Sequence, residues 1–120
     1  MKYMIMMHGS AAEMMETKST DWIKEMIEFM GNFNDGLTKS GEFVAAEGLV
    51  DGTEAKTVIY QNGAPVVTDG PFAESKESLI GFWIVDVVDE ARALELTSKV
   101  VAFIQAPVEV RQVGEGPPEV

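Results

Sequence analysis

The sequence predicts a single α+β domain in which two helices cover one face of a sheet. Two segments that are apolar on both alternating faces indicate central strands. Two amphipathic segments indicate helices, and short β-branched segments bounded by glycine, proline or asparagine indicate further strands. The chain has 120 residues, which is enough for one domain with its own core and too few for two.

The chain begins with a strand and a long helix. Residues 2–8 (KYMIMMH) form the first doubly apolar segment, and residues 9–17 are expected to be a loop with one helical turn at most. The helix that follows has a candidate C-cap at Gly41. Its candidate N-caps are Ser19, Thr20 and Asp21. Its apolar stripe, which predicts one buried face, consists of Trp22, Met26, Met30, Phe33 and Leu37, widened by Ile23, Ile27 and Phe29.

The middle of the chain is predicted to contain three short strands. Residues 43–49 form the first of them, and residues 57–60 and 65–68 form the next two. The last two segments are separated by Asn62-Gly63, a dipeptide that strongly favours a type I′ hairpin turn. A hairpin is therefore expected here.

The end of the chain repeats the order strand, helix, strand. Residues 79–85 (LIGFWIV) are the second doubly apolar segment, and either Asp86 or Asp89 can cap the helix that follows. Proline at position 107 bars further helix, so residues 108–113 are predicted to be the last strand. The helix residues expected to face the core are Leu94, Thr97, Val101 and Ile104.

This order, β-α-β-(β-hairpin)-β-α-β, is the split βαβ pattern of ferredoxin-like domains with an inserted hairpin. The domain is expected to span residues 1–113 and to be followed by a loose tail, residues 114–120. Because both helices cover the same sheet face, the other face needs a cover, and a homodimer packed sheet to sheet would supply it. The side chains assigned to that second face, or else their alternates, are Met4, Met6, Ile80, Phe82 and Ile84.

The composition excludes several classes of function. With 9 Lys+Arg against 20 Asp+Glu, the formal charge of −11 disfavours binding to nucleic acids or anionic membranes. No segment approaches the roughly 18 apolar residues of a membrane span, and none is typical of a signal peptide, so a cytoplasmic location is expected. The absence of cysteine excludes thiolate chemistry, and a single histidine disfavours a zinc site. No metal or cofactor is therefore expected.

Residues 67–77 (VTDGPFAESKE) are the most informative stretch. An aspartate before Gly-Pro can accept hydrogen bonds from nearby backbone N–H groups, and the proline stiffens the exit from the turn. The loop is either a rigid connection whose phenylalanine fills the core or a scaffold that holds side chains over a pocket. The residues concerned are Asp69, Gly70, Pro71, Phe72, Glu74 and Lys76.

At this segment the chain resembles the DGPF branch of the YCII-related family. Residues 68–77 (TDGPFAESKE) match the family signature position for position, and the resemblance continues through residues 81–84 and 108–113. It implies a ferredoxin-like α+β fold that is usually dimeric, with no established activity for most members. Two roles suggested within the family are an enzyme, similar in fold to a dehalogenase-like lyase, and a part in transcription initiation beside sigma factors.

The chain departs from this family at its histidine. The YCII branch usually carries a histidine early in the first helix, where this sequence has Ser19-Thr20-Asp21-Trp22, so that role has no matching position. His8, at the end of the first strand, is the sole histidine. With Asp69 beside it, His8 would form a general base oriented by a carboxylate. The alternative is a structural histidine.

Two functions are therefore expected as alternatives. The first is binding of an unknown small molecule under the DGPF loop. If the protein is an enzyme, His8 and Asp69 would be its catalytic residues, in cofactor-free lyase or isomerase chemistry. The ligand-binding residues would be Trp22, Gly70, Pro71, Phe72, Glu74 and Lys76. The second function is a regulatory module that contacts a sigma factor or another basic protein, which a charge of −11 would suit.

Overall fold

The structure is a computed structural model that describes residues 1–71 and 78–118. These residues form an α+β fold, as the sequence predicts. In chain order the elements are β1 (Lys2–Gly9), α1 (Ala11–Thr17), α2 (Thr20–Ser40), β2 (Phe43–Gly48), β3 (Lys56–Gln61), β4 (Ala64–Asp69), β5 (Ser78–Asp86), α3 (Glu90–Ile104) and β6 (Val108–Gln112). A short 3-10 turn, Gly52–Glu54, lies between β2 and β3.

Four strands form one antiparallel sheet in the order β2-β5-β1-β6. The two doubly apolar segments, β1 and β5, are therefore its central strands, as predicted. Helix α2 connects β1 to β2, and α3 connects β5 to β6. This topology is compatible with the ferredoxin-like arrangement.

The core lies between this sheet and helices α2 and α3. Alternate positions of the central strands face it, because successive side chains of a strand point to opposite sides. Ile5, Val85 and Val100 are the largest fully buried side chains. The other buried apolar residues are Tyr3, Met7, Phe33, Leu37, Trp83, Val87, Ala93 and Leu96.

The caps of the two long helices are largely those the sequence offers. Ser19 is the N-cap of α2, and its Oγ accepts a hydrogen bond from the Trp22 N–H at 3.1 Å. Gly41 is the C-cap and has a left-handed backbone conformation. For α3 the cap is Asp89 and not Asp86, since its Oδ1 accepts from the Arg92 N–H at 2.9 Å. Among the described residues, no helix has the length and apolarity needed to cross a lipid bilayer.

The expectation of a loop over residues 11–17 is wrong, because these residues form α1. This helix buries none of its residues and is fixed at its start. The Ser10 hydroxyl accepts from the Glu13 N–H at 3.1 Å, and the Asp51 carboxylate accepts from the Ala12 N–H at 3.0 Å. A helix without a buried face has no apolar stripe, so periodicity does not reveal it.

The predicted helix faces need two further corrections. Ile27, expected within the stripe of α2, is 63% exposed, because it lies away from the side that holds Phe33 and Leu37. In α3, Leu94 is 49% exposed. The buried residues of α3 are Ala93, Leu96, Thr97 and Val100. Thr97 is thus buried as predicted and Ile104 packs against the core, whereas Ala93 and Val100 are buried in place of Leu94 and Val101.

The second face of the four-stranded sheet is half-buried, and we call it the open face. Met4 pairs with Ile84, and Met6 pairs with Phe82, so these four apolar side chains lie together on it. Ile80 was expected here but packs against the core. The reason is a register shift: Met7 pairs with Gly81 and His8 pairs with Leu79, which leaves Ile80 as an extra residue on β5.

Strands β3 and β4 form a separate two-stranded antiparallel sheet, which we call the ribbon. Asn62 and Gly63 join them, with φ of 52° and 80°. Positive φ at both positions is what a type I′ turn requires, and asparagine and glycine tolerate it best. The ribbon leads directly into the DGPF segment, of which Asp69, Gly70 and Pro71 are described.

Candidate functional site

A cleft of about 680 Å³ lies at the base of the ribbon. Its walls come from the connection after β2 (residues 49–52), from the start of β3 and the residue before it (55–58), from Pro71, and from the first two residues of β5 (78–79). Most of these side chains are apolar. A concave, mainly apolar site of roughly 300–1,000 Å³ with a few polar groups is typical of small-molecule binding.

The walls are held together by close backbone contacts. A Cβ at Gly52 would lie only 2.7 Å from Ser78 Oγ, so any larger residue here would force the Ser78 side chain or the connection after β2 to move. On the other side, the Gly70 N–H donates to the Ala55 carbonyl at 2.8 Å, and the Thr57 hydroxyl donates to the Gly70 carbonyl at 2.8 Å. The start of the DGPF segment is thereby fixed to the cleft.

Asp51 is the acidic residue of the cleft wall, and its carboxylate is already engaged. It accepts hydrogen bonds from the Ala12 N–H, from the Thr53 hydroxyl at 2.8 Å and from the Thr53 N–H at 3.1 Å. These bonds, that of Ala12 first, hold the pKa of Asp51 below its ordinary value. Asp51 therefore acts as a positioning residue that fastens α1 to the cleft.

Asp69 and Lys56 stand at the rim of the cleft. They are cross-strand partners at the base of the ribbon, and the Lys56 ammonium donates to the Asp69 carboxylate. The Asp69 side chain is 88% exposed and that of Lys56 is 60% exposed. Both charged groups are therefore accessible from solvent, and an exposed ion pair of this kind contributes little stability.

His8 is not one of the residues that line the cleft, but it lies on the strand next to one of them. It pairs with Leu79, which lines the cleft, and such cross-strand neighbours have Cβ atoms about 4.5–5.5 Å apart. His8 Nε2 lies 3.9 Å from Oε1 of Glu109 on β6, and the Arg111 guanidinium donates to the other oxygen of Glu109. The carboxylate that faces His8 is thus Glu109.

Glu109 is not singled out by any motif of the sequence. Its position becomes meaningful only through the pairing of β1 with β6, in which Met6 lies opposite Glu109. The available signal was the alternation of β6, because a glutamate between two core-facing valines must point to the open face, where His8 also lies. Which residues meet there depends on a pairing between the two ends of the chain.

The structure separates several residues that the sequence grouped into one site. Within the described part of the chain, no hydrogen bond or ion pair joins His8 to Asp69, and each has the different partner given above. Trp22 lies on α2, stacked on Phe103 at 5.5 Å between ring centroids, with the Lys18 ammonium 4.9 Å above its ring. Trp22 does not line the cleft.

The other predicted ligand-binding residues belong to the DGPF segment. Pro71 lines the cleft and Gly70 is bonded to its wall, whereas Phe72, Glu74 and Lys76 lie outside the described residues. In residues 1–71 and 78–118, no three histidine or carboxylate side chains are grouped so that they could hold a metal ion. The arrangement provides apolar walls, an ion pair at the rim and an imidazole with a carboxylate on neighbouring strands.

Fold and cleft together define a class: small α+β proteins with a four-stranded sheet, an accessory ribbon and a cleft at its base. The chain matches the model of the YCII-related domain over residues 1–115. It is also similar to an uncharacterized protein of Rhizobium meliloti (strain 1021), with 31% identity over 84 residues, which cover 67% of this chain and 68% of that protein. The chain belongs to the YCII-related family, as the DGPF motif suggested.

Proposed function

We propose that this protein binds a small organic molecule in the cleft at the base of the ribbon. The observation that carries this proposal is the cleft itself, whose volume of about 680 Å³ and mainly apolar walls are typical of such sites. Lys56 and Asp69 at the rim would bind polar groups of the ligand, while Leu79 and Val58 would contact its apolar part. Gly70 and Pro71 would hold the rim in place.

His8 would then move a proton at the bound molecule, in cofactor-free chemistry. Its imidazole would take a proton from one atom of the ligand and return it to another atom, as in an isomerase, or to a leaving group, as in a lyase. Glu109 would orient the imidazole, a role for which it is better placed than Asp69. The distance of 3.9 Å from Nε2 to Oε1 would shorten when the ligand binds.

The protein is further proposed to act as a homodimer. Met4, Met6, Phe82 and Ile84 form an apolar surface on the open face that is half-buried in one copy. Contiguous apolar surfaces of this kind commonly mark interfaces, and a two-fold pair would cover both copies at once.

A thermal-shift screen against a panel of small organic metabolites tests the binding site. A ligand that binds the folded chain raises its melting temperature. We expect hits with the wild type that Ala55→Trp abolishes, because Ala55 lines the cleft and an indole would fill it. Ala102→Trp is the matched control, since Ala102 is exposed on α3 and does not line the cleft.

His8→Gln separates binding from chemistry. It should keep the thermal shift of a hit and abolish its turnover, followed by NMR of the ligand. Hits that survive Ala55→Trp would refute the cleft as the site. A tight complex with a sigma factor and no metabolite hit would instead favour the regulatory alternative.

A further inference from the structure

The ribbon exposes apolar side chains on both of its faces. On one face Val58, Tyr60 and Val67 are 63%, 78% and 65% exposed. On the other, Ile59 and Val66 are 39% and 37% exposed. Hydrophobic residues scattered singly on a surface are normal, but a continuous set of this kind marks a contact surface.

A two-stranded ribbon of this kind needs support from outside itself. Isolated hairpins are at best marginally stable in water, and their free edges pair readily with other chains. The helices of this chain pack on the other sheet, where the core lies. We infer that the ribbon is an intersubunit clasp, whose face with Val58, Tyr60 and Val67 packs on a second copy of this chain.

The distribution of charge identifies a second copy as the partner. Between residues 55 and 70 the only charged side chains are Lys56 and Asp69, which pair with each other, whereas the whole chain carries −11. Two copies of so acidic a chain repel each other, and the neutral ribbon is where they approach with least repulsion. A basic partner would be attracted to the acidic surfaces instead.

The dimensions also fit. Six residues per strand make the ribbon about 20 Å long, while the outer strands of a four-stranded sheet are about 14 Å apart. The ribbon is thus at least as long as the sheet of a second copy is wide, so its exposed face can cover a large part of that copy. This clasp rests on the homodimer of the proposed function and adds a specific contact to it.

The clasp would also complete the ligand site. Val58 belongs both to the exposed face of the ribbon and to the wall of the cleft. A second copy packed on that face covers the open side of the cleft and excludes water from it. The cleft would therefore bind its ligand fully only in the dimer.

Sedimentation equilibrium over a range of protein concentrations tests this inference. We expect the wild type to reach twice 13.1 kDa, and Tyr60→Glu/Val67→Glu to raise the dimer dissociation constant by at least about 100-fold, since two buried anchors become charged. The matched control is Ile27→Glu/Val88→Glu, which adds the same charge at residues that are 63% and 81% exposed outside the ribbon. The control should dimerise like the wild type.

A labelling experiment covers the case in which the double variant misfolds. The chain has no cysteine, so Gln61→Cys places a single environment-sensitive dye at the ribbon tip. Its emission should shift to the blue as the dimer forms, and a dye on Glu28→Cys should not respond. If the wild type is a dimer but Tyr60→Glu/Val67→Glu also dimerises, or if the dye at the ribbon tip does not shift, the ribbon is not an intersubunit clasp. The homodimer itself would then still be supported. If the wild type is monomeric at every protein concentration, both the clasp and the homodimer are refuted. The proposed binding of a small molecule in the cleft is still tested by the metabolite screen.

Discussion

The four-stranded sheet with α2 and α3 forms the body of the molecule. The body buries its apolar residues, whereas the ribbon leaves its apolar residues exposed. Both regions are rich in β-branched residues, yet Val85 of the body is 0% exposed and Val67 of the ribbon is 65% exposed. A pattern of β-formers with an Asn-Gly turn is enough to specify strand pairing. Burial requires a second layer, which the body obtains from its own helices.

The largest expected effect is in the core of the body. Ile5→Ala should lower the free energy of unfolding by about 2–5 kcal/mol, because it leaves a cavity at a fully buried site. Met4→Ala, the neighbouring residue on the half-buried open face, is the control and, at concentrations too low for dimers, should cost clearly less. Urea unfolding measures both, and equal losses would mean that the two faces are equally buried.

The next effect concerns the ion pair that ties α3 to the end of α2. Arg92 donates to both carboxylate oxygens of Glu42 at 2.9 Å, and these bonds hold the pKa of Glu42 below its ordinary value of 4.5. The resulting stability is present above that value and is lost as the pH falls through the lowered pKa.

Glu42→Gln should therefore lower the free energy of unfolding at pH 7 by about 1.5–3 kcal/mol and flatten its pH dependence below 4.5. Glu95→Gln is the matched control, since Glu95 contacts the same Arg92 but is 61% exposed. Urea unfolding from pH 3 to 7 gives both curves. If the free energy of unfolding of Glu42→Gln depends on pH in the same way as that of the wild type, the titration of Glu42 is not coupled to folding.

A smaller, local effect is expected in the turn of the ribbon. Gly63→Ala places a Cβ at φ 80°, a left-handed conformation that costs an L-residue about 1–2 kcal/mol. Amide exchange in β3 and β4 should become about 5–30-fold faster, while that of β1 and β5 stays constant. Faster exchange in the central strands as well would show that the ribbon and the body unfold together.

The smallest effect on the free energy of unfolding is expected at Val67 of the ribbon, the exposed counterpart of Val85 in the body. At concentrations too low for dimers, Val67→Ala should change the free energy of unfolding by less than about 0.5 kcal/mol, as is usual for exposed sites. Val85→Ala provides the comparison and should cost several times more, because Val85 is fully buried. A large loss for Val67→Ala in the monomer would mean that the ribbon is already packed within one chain.

The sequence predicts the features that depend on local patterns. The central strands, the Ser19 and Gly41 caps of α2 and the Asn62-Gly63 turn all follow from periodicity or from backbone preference. Helix α1 lacks an apolar stripe and is held by Asp51 from another part of the chain, so no local pattern reveals it. Similarly, the pairing of His8 with Glu109 depends on two strands from opposite ends of the chain.

The extra residue on β5 has a consequence for how this site can change. From Gly81 onward, the odd-numbered positions of β5 face the core, whereas Leu79, on the other side of Ile80, faces the cleft. Ile80 therefore separates the part of β5 whose odd-numbered side chains face the core from the part that lines the cleft. Deleting Ile80 would remove the bulge and place Leu79 next to core-facing Gly81, so Leu79 would stay opposite His8 on the open face while the local bend of β5 beside the cleft is lost. A change of chain length at this point would therefore alter the bend and twist of β5 beside the cleft, and leave unchanged the face on which Leu79 lies.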